Sequence, residues 1–228
     1  MLQNSRSFEH DKIDLGYSDL DSITSKRGRC YIDPNGVEYP SVTTVLKILS
    51  EDSIRKWRKR VGEEEANRIS GRASSRGTAV HSIVEGYLKN EDVGHYLPHI
   101  KQSLQNMRSI LDQSVGRIFG LEVALFSRYL GMAGRCDCIA EFDGVPSIVD
   151  FKTSLRAKKK ENISNYFAQA SAYAIMFEER TGMSIPNTVI VMDVDDEAPI
   201  VFKEHRDNYT DLLLKTKAEY DRRQLFFK

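Results

Sequence analysis

The chain has 228 residues, which is the length of one domain with enough material for a substantial apolar core. Hydrophobic residues make up 40% and charged residues 29%, proportions that exclude a disordered, collagen-like or low-complexity chain. Lys and Arg together number 33, as do Asp and Glu, so the total charge of zero indicates no class of partner. Opposite charges can still separate into local patches.

The cysteines and the N-terminus bear on the compartment. Cys30, Cys136 and Cys138 are an odd number, which suits neither a disulfide framework nor a four-cysteine metal site. We therefore expect reduced cysteines and a cytoplasmic or other reducing intracellular compartment. The first residues lack the apolar stretch of a signal peptide, and no window approaches the roughly 18 apolar residues of a membrane span. The sequence thus predicts no membrane association.

Helices dominate the predicted first half. Residues 1–29 are polar and without period, which predicts a loosely packed, poorly ordered arm. The run Asp33-Pro34-Asn35-Gly36 predicts the turn of a small hairpin over residues 30–39. Ser41 is the expected cap of a short helix that ends near Leu49. Apolar spacing predicts further helices over residues 53–70, 73–88 and 98–116.

Strands begin in the second half. Alternation predicts strands over residues 118–128, 134–142 and 145–152, with Asp143-Gly144 as a tight turn between the last two. A long helix over 158–180, strands over 187–193 and 199–203, and a last helix over 207–227 follow. From residue 98 the order is αβββαββα, a mixed α/β fold with an α+β sheet. We expect three regions: the arm (1–29), a hairpin and helical region (30–96), and a core with a C-terminal helix (97–228).

The residues with the clearest chemistry lie on two of the predicted strands. Asp150 and Lys152 share one face of their strand, and the hairpin at Asp143-Gly144 can bring Asp137 beside them. Two carboxylates suit Mg²⁺ or Mn²⁺, while the amine can orient or deprotonate an attacking water. An Asp and a Lys two apart are also common as an exposed surface pair. The apolar run that leads directly into Asp150 favours the chemical interpretation, because a charge there needs a partner or a metal.

Four motifs resemble a known family. They are Gly77-Thr78-Ala79-Val80-His81, Gly134-Arg135-Cys136-Asp137, Asp150-Phe151-Lys152 and Gln169-Ala170-Ser171-Ala172-Tyr173. In this order they are similar to the G-T-x-x-H, G-x-x-D, D-x-K and Q-x-x-x-Y motifs of the RecB-like branch of the PD-(D/E)XK nuclease superfamily. The segment Ser41–Leu46 further resembles the small exonucleases related to the mitochondrial genome maintenance exonuclease and its phage counterparts. The resemblance implies a restriction-endonuclease-like αβββαβ core.

The resemblance also implies roles at the metal centre. Asp137 and Asp150 would bind the catalytic metal, Lys152 would handle the nucleophilic water, and His81 would be a further ligand. The alternative for His81 is a core histidine bonded on its helix. Glu122, in the strand before Asp137, is a candidate for another acid. Glu85 lies one helical turn after His81 and is a lesser candidate, since a glutamate on a helix is more often simply exposed.

Other residues would support the site or contact nucleic acid. Gln169 and Tyr173 share a helical face, with ordinary helix packing as the rival role for Tyr173. Basic and hydroxyl side chains around the motifs are candidate phosphate contacts, or otherwise simple surface residues; they are Arg72, Arg76, Arg135, Thr153, Ser154, Arg156, Lys158, Lys159 and Lys160. Some RecB-like members hold an iron–sulfur cluster through four cysteines, but with three cysteines we expect none here.

The predicted function is a Mg²⁺- or Mn²⁺-dependent DNA exonuclease acting on single-stranded ends in replication, repair or recombination. The helical region would cover the cleft, an expectation that rests on analogy with the family. The chain contains no helicase segment, so the enzyme would act alone or with a separate helicase or a replication or recombination protein. The alternatives are an endonuclease of the same superfamily and a non-catalytic nucleic-acid-binding protein that kept the fold.

Overall fold

The computed structural model describes residues 6–225, and its first element is a small antiparallel sheet. The strands are β1 (Asp21–Ser25), β2 (Gly28–Ile32) and β3 (Glu38–Pro40), in that spatial order. The buried Asp33 carboxylate closes the β2–β3 turn by accepting the backbone N–H groups of Asn35 at 2.8 Å and Val37 at 2.9 Å. The hairpin predicted over residues 30–39 is confirmed.

The interpretation of the first 29 residues as a loose arm is wrong for residues 6–29, while residues 1–5 lie outside the described part. Phe8 is buried and packs edge-to-face on Tyr87, with ring centroids 5.5 Å apart. The Phe8 N–H donates to the Asn90 side chain at 2.7 Å, and β1 pairs with β2. Single apolar anchors of this kind leave no period in the sequence, which is why the pattern did not predict them.

Four helices follow the small sheet: α1 (Val42–Leu46), α2 (Glu51–Val61), α3 (Glu63–Leu88) and α4 (Pro98–Ser114). A 3₁₀ turn, Lys47–Ser50, joins α1 to α2. Ser41 caps α1 as predicted, because its hydroxyl oxygen accepts the Thr44 N–H at 3.0 Å.

The predicted helix boundary near residue 71 is wrong. The chain breaks at Gly62, which has a φ of +88°, and α3 then runs unbroken for 26 residues. Gly71 and Gly77 lie inside α3, where a glycine costs only about 1 kcal/mol against alanine and does not by itself end a helix. The positive φ at Gly62 is what stops α2.

The central sheet has five strands in the spatial order β4-β5-β6-β7-β8. They are β4 (Val115–Ser127), β5 (Met132–Phe142), β6 (Val145–Ser154), β7 (Asn187–Val194) and β8 (Ile200–His205). Strands β6 and β7 are parallel, and the other neighbours are antiparallel. The crossover between β6 and β7 contains α5 (Ser164–Thr181), and α6 (Thr210–Leu225) ends the described chain.

The element order predicted from residue 98 is confirmed, with two shifted ends. The helix predicted from Lys158 begins at Ser164, because residues 155–159 are a loop and Lys160–Asn162 form a 3₁₀ turn. It ends where predicted, at Gly182 with a φ of +73°. The last helix begins at Thr210 after the 3₁₀ turn Arg206–Tyr209, and residues 226–227 of its predicted span lie outside the described part.

Helices cover both faces of the sheet, which makes the fold mixed α/β, and the order of α4, β4 to β6, α5 and β7 is the αβββαβ order that the resemblance implies. On one face α3 and α4 bury side chains such as Val80 and Leu104 against Val149. On the other, α1 and α5 pack Val45 and Phe177 against the sheet. Residues on both sides of position 97 therefore share one apolar core. Between residues 6 and 225, no helix combines the length and apolar content that crossing a bilayer requires.

Candidate active site

Strands β5 and β6 separate near the middle of the sheet. Their pairing ends at Cys138 and Val149, although β5 stays paired with β4 and β6 with β7. Asp137 and Asp150 are the next residues on the two strands. They therefore lie at the point where the β5–β6 hydrogen-bond ladder ends, which we call the fork. The Phe151 N–H, which has no strand partner there, donates to Asp137 Oδ2 at 3.0 Å. A carboxylate thus satisfies the backbone group that the fork leaves unpaired.

Asp150 is held between an amide and an ammonium. It is 1% exposed, its Oδ1 accepts Gln169 Nε2 at 3.1 Å, and its Oδ2 pairs with Lys152 Nζ. Gln169 lies on α5, which packs on this face of the sheet. Asp150 and Lys152 therefore lie together as predicted, and Gln169, predicted to support the site or to contact nucleic acid, bonds Asp150.

Three other side chains form a second cluster at the fork. One nitrogen or oxygen from each of His81, Glu122 and Asp137 lies within 4.8 Å of the other two, and His81 Nδ1 is 3.4 Å from Asp137 Oδ2. The three residues come from α3, β4 and β5, so three elements meet here. Asp150 does not belong to this cluster, because its carboxylate faces Lys152 and Gln169. Glu85 forms an ion pair with Lys89 at 2.6 Å.

The backbone at Glu122 is strained. Its φ is +51° inside β4, a left-handed conformation that costs a residue with a Cβ roughly 1–2 kcal/mol. Arg135 supports it, because its Nη1 donates to the Glu122 carbonyl at 2.5 Å and its Nη2 bonds Asp19 at 2.6 Å. The strain sets the direction of the side chain beside Asp137, which lies opposite on β5.

Acidic groups crowd the fork and shift one another's protonation. Burial, together with the charges of Asp137 and Glu85, raises the pKa of Glu122 to about 7. Burial also raises the pKa of Asp150 to about 6, against the opposing charge of Lys152. Burial alone would lower the pKa of His81, but the hydrogen bond and charge of Asp137 outweigh it and raise that pKa. Burial is the first cause of the raised pKa values of Glu122 and Asp150, and the neighbouring acids add to it.

The donor set fits a divalent cation. One imidazole and two carboxylates converge from separate elements, and a protein binds Mg²⁺ or Mn²⁺ mainly through carboxylate oxygens. Burial and the charges of Asp137 and Glu85 raise the pKa of Glu122, and a cation bound beside the carboxylate would favour its ionised form. His81, Glu122 and Asp137 are the residues that would hold the metal, with Asp150 adjacent.

Two of the motifs are explained by one contact. A Cβ added at Gly134 would lie 2.8 Å from the Tyr173 ring carbon Cε1 and from its hydroxyl oxygen. Tyr173 is 2% exposed, so its ring packs against β5 and is not accessible to nucleic acid. Only glycine at position 134 leaves room for the Tyr173 ring. This packing holds α5 against β5, with Gln169 beside Asp150.

The candidate phosphate contacts fall into two groups. Arg76 and Arg135 already have protein partners: Arg76 pairs with Asp193 at 2.8 Å and with Asp195. Lys158 donates to Tyr166 Oη at 2.8 Å, and Lys160 pairs with Glu204. Arg72, Arg156 and Lys159 are exposed. Thr153 and Ser154 continue β6 past Lys152, where the Ser154 hydroxyl donates to the Arg156 carbonyl at 2.7 Å.

Two residues near the site, Tyr166 and Asp193, were not predicted from the sequence. The ring of Tyr166 lies between two ammonium groups, 5.2 Å from Lys152 Nζ and 5.0 Å from Lys158 Nζ. Its position three residues before Gln169 on one helix face is a signal that could have found it. Asp193 is 1% exposed, accepts from Arg76 and Asn106, and lies opposite Thr153. The sequence feature that could have indicated Asp193 is an acidic residue near the end of an apolar strand.

Comparison with known proteins places this geometry in a family. A crystal structure of a candidate exonuclease from Eubacterium rectale is 17% identical, with a TM-score of 0.45 and coverage of 70% of this chain and 71% of that chain. The structure of SSO0001 is 15% identical, with a TM-score of 0.34 and coverage of 64% and 72%. No curated protein matches in sequence. The sequence profile of the PD-(D/E)XK nuclease superfamily matches residues 50–222, most of the chain and all the clustered residues. The chain therefore belongs to the PD-(D/E)XK nuclease superfamily.

Proposed function

We propose that the protein is a divalent-metal-dependent DNA exonuclease of the RecB-like branch that hydrolyses phosphodiester bonds at single-stranded ends. The observation that carries the proposal is the position of the His81–Glu122–Asp137 cluster beside the Asp150–Lys152 pair at one fork of the sheet. A surface pair of Asp and Lys would have no reason to adjoin a second set of converging ligands.

Bound in this cluster, Mg²⁺ or Mn²⁺ would polarise the scissile phosphate and lower the pKa of a coordinated water. The chain's own residues orient the reactants around it. Asp137 accepts the Phe151 N–H and so stays fixed to β6, and Gln169 fixes Asp150. Arg135 keeps the strained Glu122 backbone in place. The ligands are therefore positioned before substrate arrives, which lowers the cost of assembling the site.

Lys152 acts as a positively charged donor in this proposal. Burial would lower its pKa, but the charges of Asp150 and Asp137 raise it above the usual value. The group is then an ammonium at neutral pH, able to position the attacking water and to offset negative charge that develops on the phosphate. The Tyr166 ring beside Nζ limits where the ammonium can point.

The choice of single-stranded ends rests on the motif order and on the helical region. His81 lies on α3, the helix that follows the exposed α2, and the proposal gives residues 30–96 the role of covering the entrance to the fork. We propose that this region guides one strand to the metal cluster, in replication, repair or recombination, alone or with a separate helicase or recombination protein.

The test is a digestion of matched linear and circular single-stranded DNA, each labelled, with Mg²⁺, Mn²⁺ or EDTA. We expect the linear DNA to be shortened from an end in either metal, the circle to resist, and EDTA to stop the reaction. Cleavage of the circle at a comparable rate would contradict an exonuclease and favour an endonuclease of the same superfamily. Binding of both DNAs without any cleavage would favour a protein that kept the fold without catalysis.

A further inference from the structure

A cleft of about 680 Å³ lies away from the metal cluster, between the β1–β2 hairpin tip, the start of α1 and the end of α6. Five basic residues line it: Lys26, Arg27, Arg29, Lys47 and Arg223. The acid in the lining is Glu51, which Arg223 already pairs with at 2.7 Å. On a chain with no net charge, this cleft is a local concentration of positive charge.

Four of these basic side chains are uncompensated. Lys26, Arg27, Arg29 and Lys47 are exposed, and none makes a side-chain hydrogen bond or ion pair with another residue of the described range 6–225. Elsewhere on the surface most Arg and Lys side chains near α2, α3 and α6 are matched by a neighbouring acid, as Arg55, Arg68 and Lys215 are. The cleft thus brings together four exposed cations that have no ion-pair partner among residues 6–225.

Contacts between the β1–β2 hairpin tip and α1 hold in place the backbone that carries these cations. Gly28 has a φ of +112°, and a Cβ there would lie 2.4 Å from Thr44 Cγ2, so the hairpin tip presses directly on α1. Three bonds hold the contact: the Arg29 N–H donates to Thr44 Oγ1 at 3.1 Å, the Thr44 hydroxyl donates to the Arg29 carbonyl at 3.2 Å, and the Ser41 N–H donates to the same carbonyl at 2.8 Å. The exposed Thr43 hydroxyl, 3.1 Å from Ser41 Oγ, adds a neutral polar group to the lining.

Two routes along the chain connect the cleft to the His81–Glu122–Asp137 cluster. Ser41, two residues before Thr43 of the lining, bridges to Ala133, which precedes Asp137 by four residues on β5, a contour length of about 13 Å at about 3.3 Å per residue. Asp19 bonds Arg135, two residues before Asp137, and the chain from Asp19 to Ser25 spans up to about 20 Å. At about 3.4 Å per phosphate along a stacked strand, contour lengths of this size correspond to roughly four to six nucleotides.

We propose that this basic cleft binds backbone phosphates of the nucleic-acid substrate several nucleotides away from the scissile bond. The inference deepens the proposed function and rests on it, since it assigns the substrate strand a second anchoring place outside the metal cluster. Phosphate oxygens match the chemistry of the lining, which offers ammonium, guanidinium and hydroxyl donors around a concave surface. Contacts of this kind raise affinity without reading the base sequence.

The test measures the salt dependence of binding without catalysis. A fluorescently labelled single strand of about 30 nucleotides is titrated with the full-length protein in EDTA, from about 50 mM to about 200 mM salt. The variant is Lys26→Ala/Lys47→Ala, and its matched control is Lys12→Ala/Lys215→Ala, which removes two exposed lysines elsewhere. At about 0.7 per phosphate contact, we expect the log–log slope to fall by about 1.4 in the cleft variant and to stay at the wild-type value in the control.

Equal slopes for the two double variants would overturn the proposal, and so would a wild-type protein that does not bind the strand. Cleavage in Mg²⁺ provides the second measurement: we expect a raised KM and an unchanged kcat for the cleft variant on the long strand. Because the binding experiment runs in EDTA, a wild-type protein that binds but never cleaves would count against the proposed nuclease function and leave the cleft assignment intact.

Discussion

Glu122 connects the strained backbone of β4 to the protonation of the candidate metal site, which is the cluster of His81, Glu122 and Asp137. Its positive φ aims the side chain at Asp137, and burial beside two other acids raises its pKa to about 7. A metal can bind only the ionised carboxylate, so binding near neutral pH must displace a proton. His81, whose pKa is also raised, must likewise be neutral to donate a nitrogen lone pair.

The expected result is weaker metal binding at lower pH. Both groups take up protons as the pH falls, so the apparent affinity for Mn²⁺ should drop by tenfold or more between about pH 8 and about pH 6. Calorimetry in two buffers of different ionisation enthalpy measures the protons released. Glu122→Gln should bind more weakly and release fewer protons near pH 6, whereas an identical proton count in the variant would contradict the role of Glu122.

Gln169 tests the orientation of Asp150. Among residues 6–225, its amide and the Lys152 ammonium are the side-chain partners of the Asp150 carboxylate. Partners that orient a metal-site ligand are typically worth 10–100-fold, so we expect Gln169→Leu to lower the cleavage rate by about that factor. The exposed Gln113→Leu is the control. A loss of thermal stability alone, with kcat and metal affinity at wild-type values, would show that Gln169 only packs.

At the scale of elements, a buried ion pair fixes α3 to the sheet. Arg76 reaches Asp193 at the end of β7, and Asn106 of α4 donates to the other oxygen of Asp193 at 3.0 Å. Arg76 lies five residues before His81 on α3. The contact with Asp193 therefore holds the part of α3 that carries the histidine against the sheet. This accounts for Arg76 without a phosphate, although it was a candidate phosphate contact in the sequence.

Removing Arg76 should therefore cost stability. Truncating one partner of a buried pair typically costs about 3–5 kcal/mol, because the remaining charge stays buried. We expect Arg76→Ala to lower the free energy of unfolding by roughly that amount in a urea titration. Arg72→Ala, at an exposed position one turn earlier, should change it by about 0.5 kcal/mol or less. Equal effects of the two substitutions would show that Arg76 is not part of a structural pair.

Strands were easier to predict than helix ends. Alternating apolar residues and the Asp143-Gly144 turn fixed the β5–β6 register, and that register brings Asp137 and Asp150 together. The break at Gly62 was missed because it depends on one backbone angle and not on a period. Asp193 was missed because its partner, Arg76, is distant in the sequence. Periodicity reports which face is buried, whereas such pairings need tertiary contacts.

At the scale of the whole molecule, the zero net charge hides an arrangement of opposite patches. Acidic residues cluster at the fork between β5 and β6, and four cations without an ion-pair partner among residues 6–225 line the cleft beside the hairpin tip. A chain that must hold a metal and a polyanion needs both. Equal totals of acidic and basic residues are therefore compatible with a nuclease.

Replacement of Lys152 by alanine shows whether the fork of the sheet is a nuclease active site. The measurement is Mg²⁺-dependent shortening of an end-labelled single strand, with Lys215→Ala as the control for a lysine lost from the surface. We expect Lys152→Ala to lose at least about 100-fold in rate while metal binding and DNA binding persist, and Lys215→Ala to cleave as the wild type does. Wild-type cleavage by Lys152→Ala would contradict the account.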